Sequence, residues 1–229
     1  SQTFDIATTT DTAKVCATAD IIVLAVKPQV LQLVCEQIAH CNIKSECLLI
    51  SIAAGVRESD INRWLGGNRS IVRCMPNTPA LVQLGATGIF ANTLVNSTQK
   101  DRAETILDAV GLSVWVEKED HLDAVTAISG SGPAYFFYFI ELLQKSAEKL
   151  GLPPETAKVL AQQTALGAAS MAQGKDMAEL RAQVTSKNGT TEQAILSFQE
   201  NNLASLVDNA TQAAHDRSVE LASELSGRP

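Results

Sequence analysis

The strand signal stops midway along this chain. From the start to about residue 117, short β-branched runs alternate with helical patterns, whereas beyond about residue 118 every apolar pattern has helical spacing, broken only at "SGSGP", "GLPP", "QGKD" and "SKNG". One layer of structure cannot satisfy both halves, so the chain reads as α/β followed by all-α, with residues 1–118 and 119–229 as the two domains. Within the first half, "DIIVLAV" (20–26), "CLLISIA" (47–53) and "SIVRCM" (70–75) are apolar at nearly consecutive positions, as strands covered on both faces must be. The helical patterns "VLQLVCEQIAH" and "ESDINRWLG" lie between them, a βαβαβ alternation that implies a parallel sheet. "GATGIFAN" and "SVWVE" read as two further strands around the helix "STQKDRAETILDAVG". In the second half, helices are expected near 119–129, 133–150, 154–173, 176–184, 190–200 and 202–225. The third of these opens with Pro154 in its first turn and carries Ala165, Gly167, Ala168 and Ala169, small enough to let another helix approach closely.

Composition narrows the function classes. With 45% hydrophobic and 19% charged residues in 229, the chain has enough apolar surface for one large or two medium cores. Its net charge of -7, with Lys and Arg scattered and no basic stripe, argues against nucleic acid as a partner. Cys16, Cys35, Cys41, Cys47 and Cys74 contain no Cys-x-x-Cys pair and read as reduced, mostly buried thiols. His40, His121 and His215 fit no metal-ligand spacing, so no metal is expected. No apolar stretch reaches the ~18 residues of a membrane span and no charged leader precedes an apolar segment. A cytoplasmic location without membrane contact is the expectation.

In an open parallel sheet, ligands bind beyond the carboxyl ends of the strands. After the first strand stands "AVKPQ", with Lys27 at the strand end and Pro28 where a helix tolerates a missing N–H. The second strand leads into "SIAAGV", where Ala53, Ala54 and Gly55 let a flat ligand lie against the backbone. After the third, the stiff turn "MPNTPA" presents Asn77 and Thr78. Each has a plain structural alternative as a solvated charge, a tight turn or a rigid loop, but three such ends along one edge imply a cleft. The dinucleotide fingerprint Gly-x-Gly-x-x-Gly is absent, and "SQTFDIATTTDTAKVCATAD" reads as a polar entry and a short helix with no buried strand before it. The expectation is a truncated form of a longer cofactor fold. It would bind nicotinamide dinucleotides poorly by itself, for want of the pyrophosphate-binding helix.

"VTSKNGTTEQAI" (184–195) interrupts the helical pattern with hydroxyls, one cation and two residues, Asn188 and Gly189, able to take positive φ. Two readings stand side by side. Thr190 with Gln193 matches a capping box, and the same stretch could cradle an anion on helix N–H groups.

With "AVKPQ", "SIAAGV", "RCMPNTPA", "SGSGPAY" and "VTSKNGTTEQAI" in this order, the chain resembles the pyrroline-5-carboxylate reductases over about residues 5–225. The last stretch is similar to the family signature Thr-Ser-Pro-Gly-Gly-Thr-Thr, with Lys187 and Asn188 replacing the Pro and the first Gly. The resemblance implies a partial Rossmann-like parallel-sheet domain followed by a helical substrate-binding and dimerisation domain. It implies reduction of 1-pyrroline-5-carboxylate to L-proline with NADPH or NADH, in a homodimer or a larger assembly built from it. By the same resemblance, Ala25, Val26, Lys27, Pro28, Ile52, Ala53, Ala54 and Asn77 would contact the cofactor. Ser186, Gly189, Thr190 and Thr191 would hold the substrate carboxylate, with the Thr191 hydroxyl catalytic beside the ring nitrogen. Glu119 would lie near bound substrate, with Ser129 and Ser131 weaker candidates. No catalytic histidine is needed, because a protonated imine is already electrophilic and needs placement against a hydride donor. Two alternatives remain: another two-domain reductase such as a 3-hydroxyacid dehydrogenase, with Lys187 as its acid, or a non-catalytic helical dimerisation fragment.

Overall fold

The computed structural model describes residues 6–226; Ser1–Asp5 of the polar entry lie outside the described residues. It divides into two compact units, one running to Ser131 and resuming at Gln212, the other spanning Gly132–Thr211. The break lies beyond the 118/119 boundary read from the loss of strands, because a helical stretch after the last strand still packs on the sheet.

The first unit is built on five strands in sequential order: β1 (Ile21–Leu24), β2 (Leu48–Ser51), β3 (Ser70–Met75), β4 (Gly85–Ala91) and β5 (Gly111–Trp115). β1, β2 and β3 are parallel, with Ile21 opposite Leu48 and Leu48 opposite Ser70. β4 runs antiparallel to β3, Met75 facing Gly88, and β5 is parallel to β4. The connections dictate these directions. α2 (Pro28–Ala39), α3 (Glu58–Trp64) and α4 (Ser97–Asp108) carry the chain back across the sheet, whereas β3 and β4 are joined only by a 3₁₀ turn at Thr78–Val82. That turn is too short for a parallel crossover. α1 (Thr12–Thr18) is the expected short helix before β1, capped by Asp11, whose carboxylate accepts from the Lys14 N–H.

Strand β2 is buried at all four positions because both sheet faces are covered. Leu49 faces a cluster with Leu31, Cys35 and Ile38 of α2 and Ile61 and Trp64 of α3; Leu48 and Ile50 face Val72, Ile89, Ala103 and Leu107, the last two from α4. After β5 come α5 (His121–Val125) and a π-helical turn at Thr126–Gly130. α5 lies close against β4: a Cβ on Gly88 would meet Val125 Cγ1 at 2.7 Å, so only glycine fits there.

The second unit comprises α6 (Gly132–Lys149), α7 (Pro154–Ala172), α8 (Met177–Gln183), α9 (Thr190–Glu200) and the start of α10 (Leu203–Ser226). α6 and α7 pack on each other, and the buried apolar residues described in this unit are Ala157 and Ala161 of α7. The small stretch at 165–169 is not buried. Phe136, Phe137 and Tyr138 are exposed. The far half of α10 belongs to the sheet unit, where Leu225 joins the α2–α3 cluster. No described helix is long and apolar enough to cross a membrane.

Candidate active site

The carboxyl ends of β1, β2 and β3 present what the sequence anticipates there. Ala25 and Val26 leave β1, and Lys27 takes the N-cap position of α2 with extended backbone (φ −61°, ψ 143°), followed by Pro28. The Lys27 side chain makes no capping hydrogen bond and its ammonium is exposed. Next to it, Ile52 donates its N–H to Leu24 C=O at 3.3 Å, tying the β2 end to the β1 end. Ala53 is buried and Ala54 half-buried, so only methyl groups line the turn that Gly55 (φ +73°) completes. This edge combines bare backbone, small side chains and a cation. Such a surface fits the flat ring end of a dinucleotide.

Asn77 is held from both ends. Its Nδ2 donates to Ser129 C=O (3.0 Å) and its Oδ1 accepts from the Ala86 N–H (2.9 Å). The side chain thus pins the turn after β3 to the start of β4 and to the π-helical turn, leaving one Nδ2 hydrogen for a ligand. Ser129 gives its hydroxyl to Val125 C=O (3.2 Å) and is not free to donate elsewhere.

Glu119 is also tied into the fold. Its Oε1 accepts from Arg73 Nη1 (2.5 Å) and from the Glu58 N–H (2.6 Å), so one carboxylate oxygen is held by the sheet unit. The physical reason is Arg73. It sits mid-strand in β3, 6% exposed, and a guanidinium there must be paired. Burial pulls its pKa below the usual arginine value, opposed chiefly by Glu119. Beside this pair, Arg57 Nη2 meets Asp123 Oδ2 at 2.6 Å, and Ser218 of α10 donates to Asp123 Oδ1 at 2.7 Å. Sequence reasoning passed over this network, although an arginine within the apolar run "SIVRCM" was its signal.

In the helical unit, Ser186 C=O accepts from the Gly189 N–H (3.0 Å), closing a turn with Asn188 in the left-handed region (φ +61°). Gly189, at φ −85° and ψ 170°, takes the N-cap position of α9. A Cβ there would meet Ser186 Oγ at 2.3 Å, so the turn closes only around glycine. The capping box anticipated at Thr190 and Gln193 therefore does not form: Thr190 is the first helical residue, one step too late to cap. Instead Glu192 reaches back, its Oε2 accepting from the Asn188 N–H at 2.6 Å. The first intrahelical bond runs from the Gln193 N–H to Gly189 C=O, so the amides of Thr190, Thr191 and Glu192 precede it. The hydroxyls of Thr190 and Thr191 have no hydrogen-bond partner, and Thr191 is half-buried. Lys187 and Asn188 are exposed on the turn.

A family model for pyrroline-5-carboxylate reductase dimerisation matches residues 119–221, and one for NADP oxidoreductase, coenzyme F420-dependent, matches residues 1–55. The pyrroline-5-carboxylate reductase of Pseudomonas aeruginosa is 51% identical over 215 residues, 93% of this chain and 78% of that protein. The chain belongs to the pyrroline-5-carboxylate reductase family. The Vibrio alginolyticus reductase is 42% identical across 96% of the chain and 82% of its own length. Among solved structures, the Coxiella burnetii reductase superposes with a TM-score of 0.91 at 47% identity, covering 95% of this chain and 81% of that one. The Plasmodium falciparum reductase, solved with NADP bound, gives 0.82 at 35% identity over 93% and 81%. Membership in this family sets aside the 3-hydroxyacid dehydrogenase and the non-catalytic fragment as readings. The helical half carries the dimerisation match, and the chain forms a homo-oligomer.

Proposed function

We propose that the two features described above divide one reaction between them. The chain reduces 1-pyrroline-5-carboxylate to L-proline, the last step of proline biosynthesis, with a hydride from NAD(P)H. In our reading, Ala25, Val26, Lys27, Pro28, Ile52, Ala53 and Ala54 form the dinucleotide edge of residues 1–118. Asn77 acts as the brace that keeps the nicotinamide end of that edge in register. Residues 119–229 supply the substrate loop and the dimerisation surface, and the working unit is a cytoplasmic homodimer.

The observation that carries the substrate assignment is the N-terminus of α9. Three amides precede the first helical hydrogen bond, the positive end of the helix dipole points the same way, and Gly189 leaves the amides uncovered. A carboxylate seated there places the ring nitrogen within reach of the Thr191 hydroxyl, which has no other partner. The bound nicotinamide supplies the hydride. Thr191 orients the protonated imine by accepting its N–H, while Ser186 and Thr190 hold the carboxylate. Glu119 is left out of this set because Arg73 occupies it.

Thr191→Val tests the assignment, since it keeps the branched shape and removes one polar contact. It should lower kcat/KM for pyrroline carboxylate roughly tenfold to hundredfold, on the order of 1–3 kcal/mol of transition-state stabilisation. Thr190→Ala, at a position that does not cap, should leave the melting temperature almost unchanged. A fully active, normally saturating Thr191→Val enzyme would sink the assignment.

A further inference from the structure

The amide of Asn77 has one orientation, because the Ala86 N–H can only donate to it and Ser129 C=O can only accept: Oδ1 faces the start of β4 and Nδ2 faces the π-helical turn. The chain after β3 meets that turn at a second point, where a Cβ on Gly130 would stand 2.7 Å from Met75 Cε. The Ser129 carbonyl is the unusual partner. Inside a helix a carbonyl is ordinarily taken by the N–H four residues on. The π-helical turn closes one residue later than that, the Ser131 N–H reaching Thr126 C=O at 2.8 Å. At Ser131 the backbone is still in the right-handed helical region (φ −86°, ψ −22°) and α6 begins at the next residue, so residue 133 stands in line to donate to Ser129 C=O. That residue is Pro133, which has no N–H.

We infer that Pro133 is a positioning residue for the cofactor edge: it withholds a backbone donor from the Ser129 carbonyl, which is thereby left to Asn77 and fixes where the second Nδ2 hydrogen points. The inference rests on the reading that Asn77 stands at the nicotinamide end of that edge. Proline is common at helix starts because the first N–H groups have no helical partner to lose. Here that explanation is incomplete, since a helical turn runs directly into α6 and offers a carbonyl at the right spacing. A carbonyl that no backbone N–H claims can tilt out from the helix axis, whereas one held along the axis is a poorer partner for a side chain. Without the Ser129 bond, Asn77 would keep only the Ala86 contact, about which its amide can swing. Held at both ends, it presents one Nδ2 hydrogen in a set direction, suited to a hydrogen-bond acceptor of the nicotinamide nucleoside.

Two variants isolate the N–H. Pro133→Ala supplies one, while Pro133→lactic acid, introduced by nonsense suppression, carries the same methyl group on an ester linkage and supplies none. Both are made in the full 229-residue chain with ¹⁵N-labelled asparagine side chains, and the Asn77 signals are assigned by their disappearance in Asn77→Ser. Without added ligand, solvent exchange of the bonded Nδ2 hydrogen should be roughly fivefold faster in Pro133→Ala than in wild type, the weight of one ordinary hydrogen bond. In Pro133→lactic acid it should keep the wild-type rate. Wild-type exchange in Pro133→Ala would overturn the inference, and so would equal acceleration in both variants, which would assign the effect to the proline ring. Titrated NADPH should shift the second Nδ2 hydrogen in wild type, with roughly fivefold more needed in Pro133→Ala. Faster exchange with an unchanged NADPH requirement would overturn the positioning role. No NADPH shift in wild type would instead undo the reading of the cofactor edge, while the exchange rates still decide whether Pro133 reserves the carbonyl.

Discussion

Arg73 shows how a single side chain can decide what its neighbours do. Removing its partner by Glu119→Ala would strand a buried guanidinium, at a cost of about 3 kcal/mol, the lower end for a broken buried pair because Glu119 retains 21% accessibility. Urea unfolding should register that loss while the folded fraction keeps its KM for the imine. Glu119→Gln, which still accepts from the Glu58 N–H, should lose less. The left-handed turn at Asn188 was legible beforehand, whereas Gly189, read as equally able to take positive φ, is extended instead. The capping box was misread because the pattern Thr-x-x-Gln cannot show which of two adjacent residues turns extended. With Asn188 at positive φ, that residue is Gly189, and the pattern slips by one. The anchoring of Glu119 was hidden for a related reason: a carboxylate's surroundings depend on a partner 46 residues away.

At the level of elements, the cores on both sheet faces contain thiols that burial holds protonated. Desolvation pushes Cys35 on α2 from 9.0 up to about 12, and Cys74 on β3 likewise to about 12 despite the nearby Arg73. Cys16 on α1 rises to about 11, first from burial and then from Cys41. The folded state therefore holds its thiol protons more tightly than the unfolded chain. Stability is unaffected below the ordinary value of 9.0 and falls as pH rises from there towards 11–12. Each thiol can contribute up to about 1.4 kcal/mol per pH unit in that window. Denaturant midpoints measured at pH 7, 9 and 10.5 should stay level and then drop, and Cys35→Ser should not be used as the control, since it buries a hydroxyl. The strands themselves were readable from continuous apolar runs, and β3 was matched at both ends. The direction of β4 was not, because apolar runs carry no orientation and the deciding feature is the length of the connection at Thr78–Val82.

Across the whole molecule, the two units differ in how they bury apolar surface. The sheet unit closes a core, while the helical unit buries Ala157 and Ala161 and leaves its aromatic residues outside, as a surface meant for another subunit does. The change from strands to helices was visible in the sequence, but the return of α10 to the sheet was not, since helical periodicity does not say which core a helix joins. Leu225→Ala should destabilise the sheet unit by about 2 kcal/mol, the low end for a leucine near a helix terminus, lowering the melting temperature. A melting temperature equal to wild type would mean that the end of α10 contributes nothing to that core. The same return sets an order on synthesis. A ribosome delivers β1 to β5 first, yet Gly55 lies against Leu221 and Leu225, and Asp123 waits for Ser218. The five strands are thus unable to seal their interior until α10 has been released, however early they leave the ribosome.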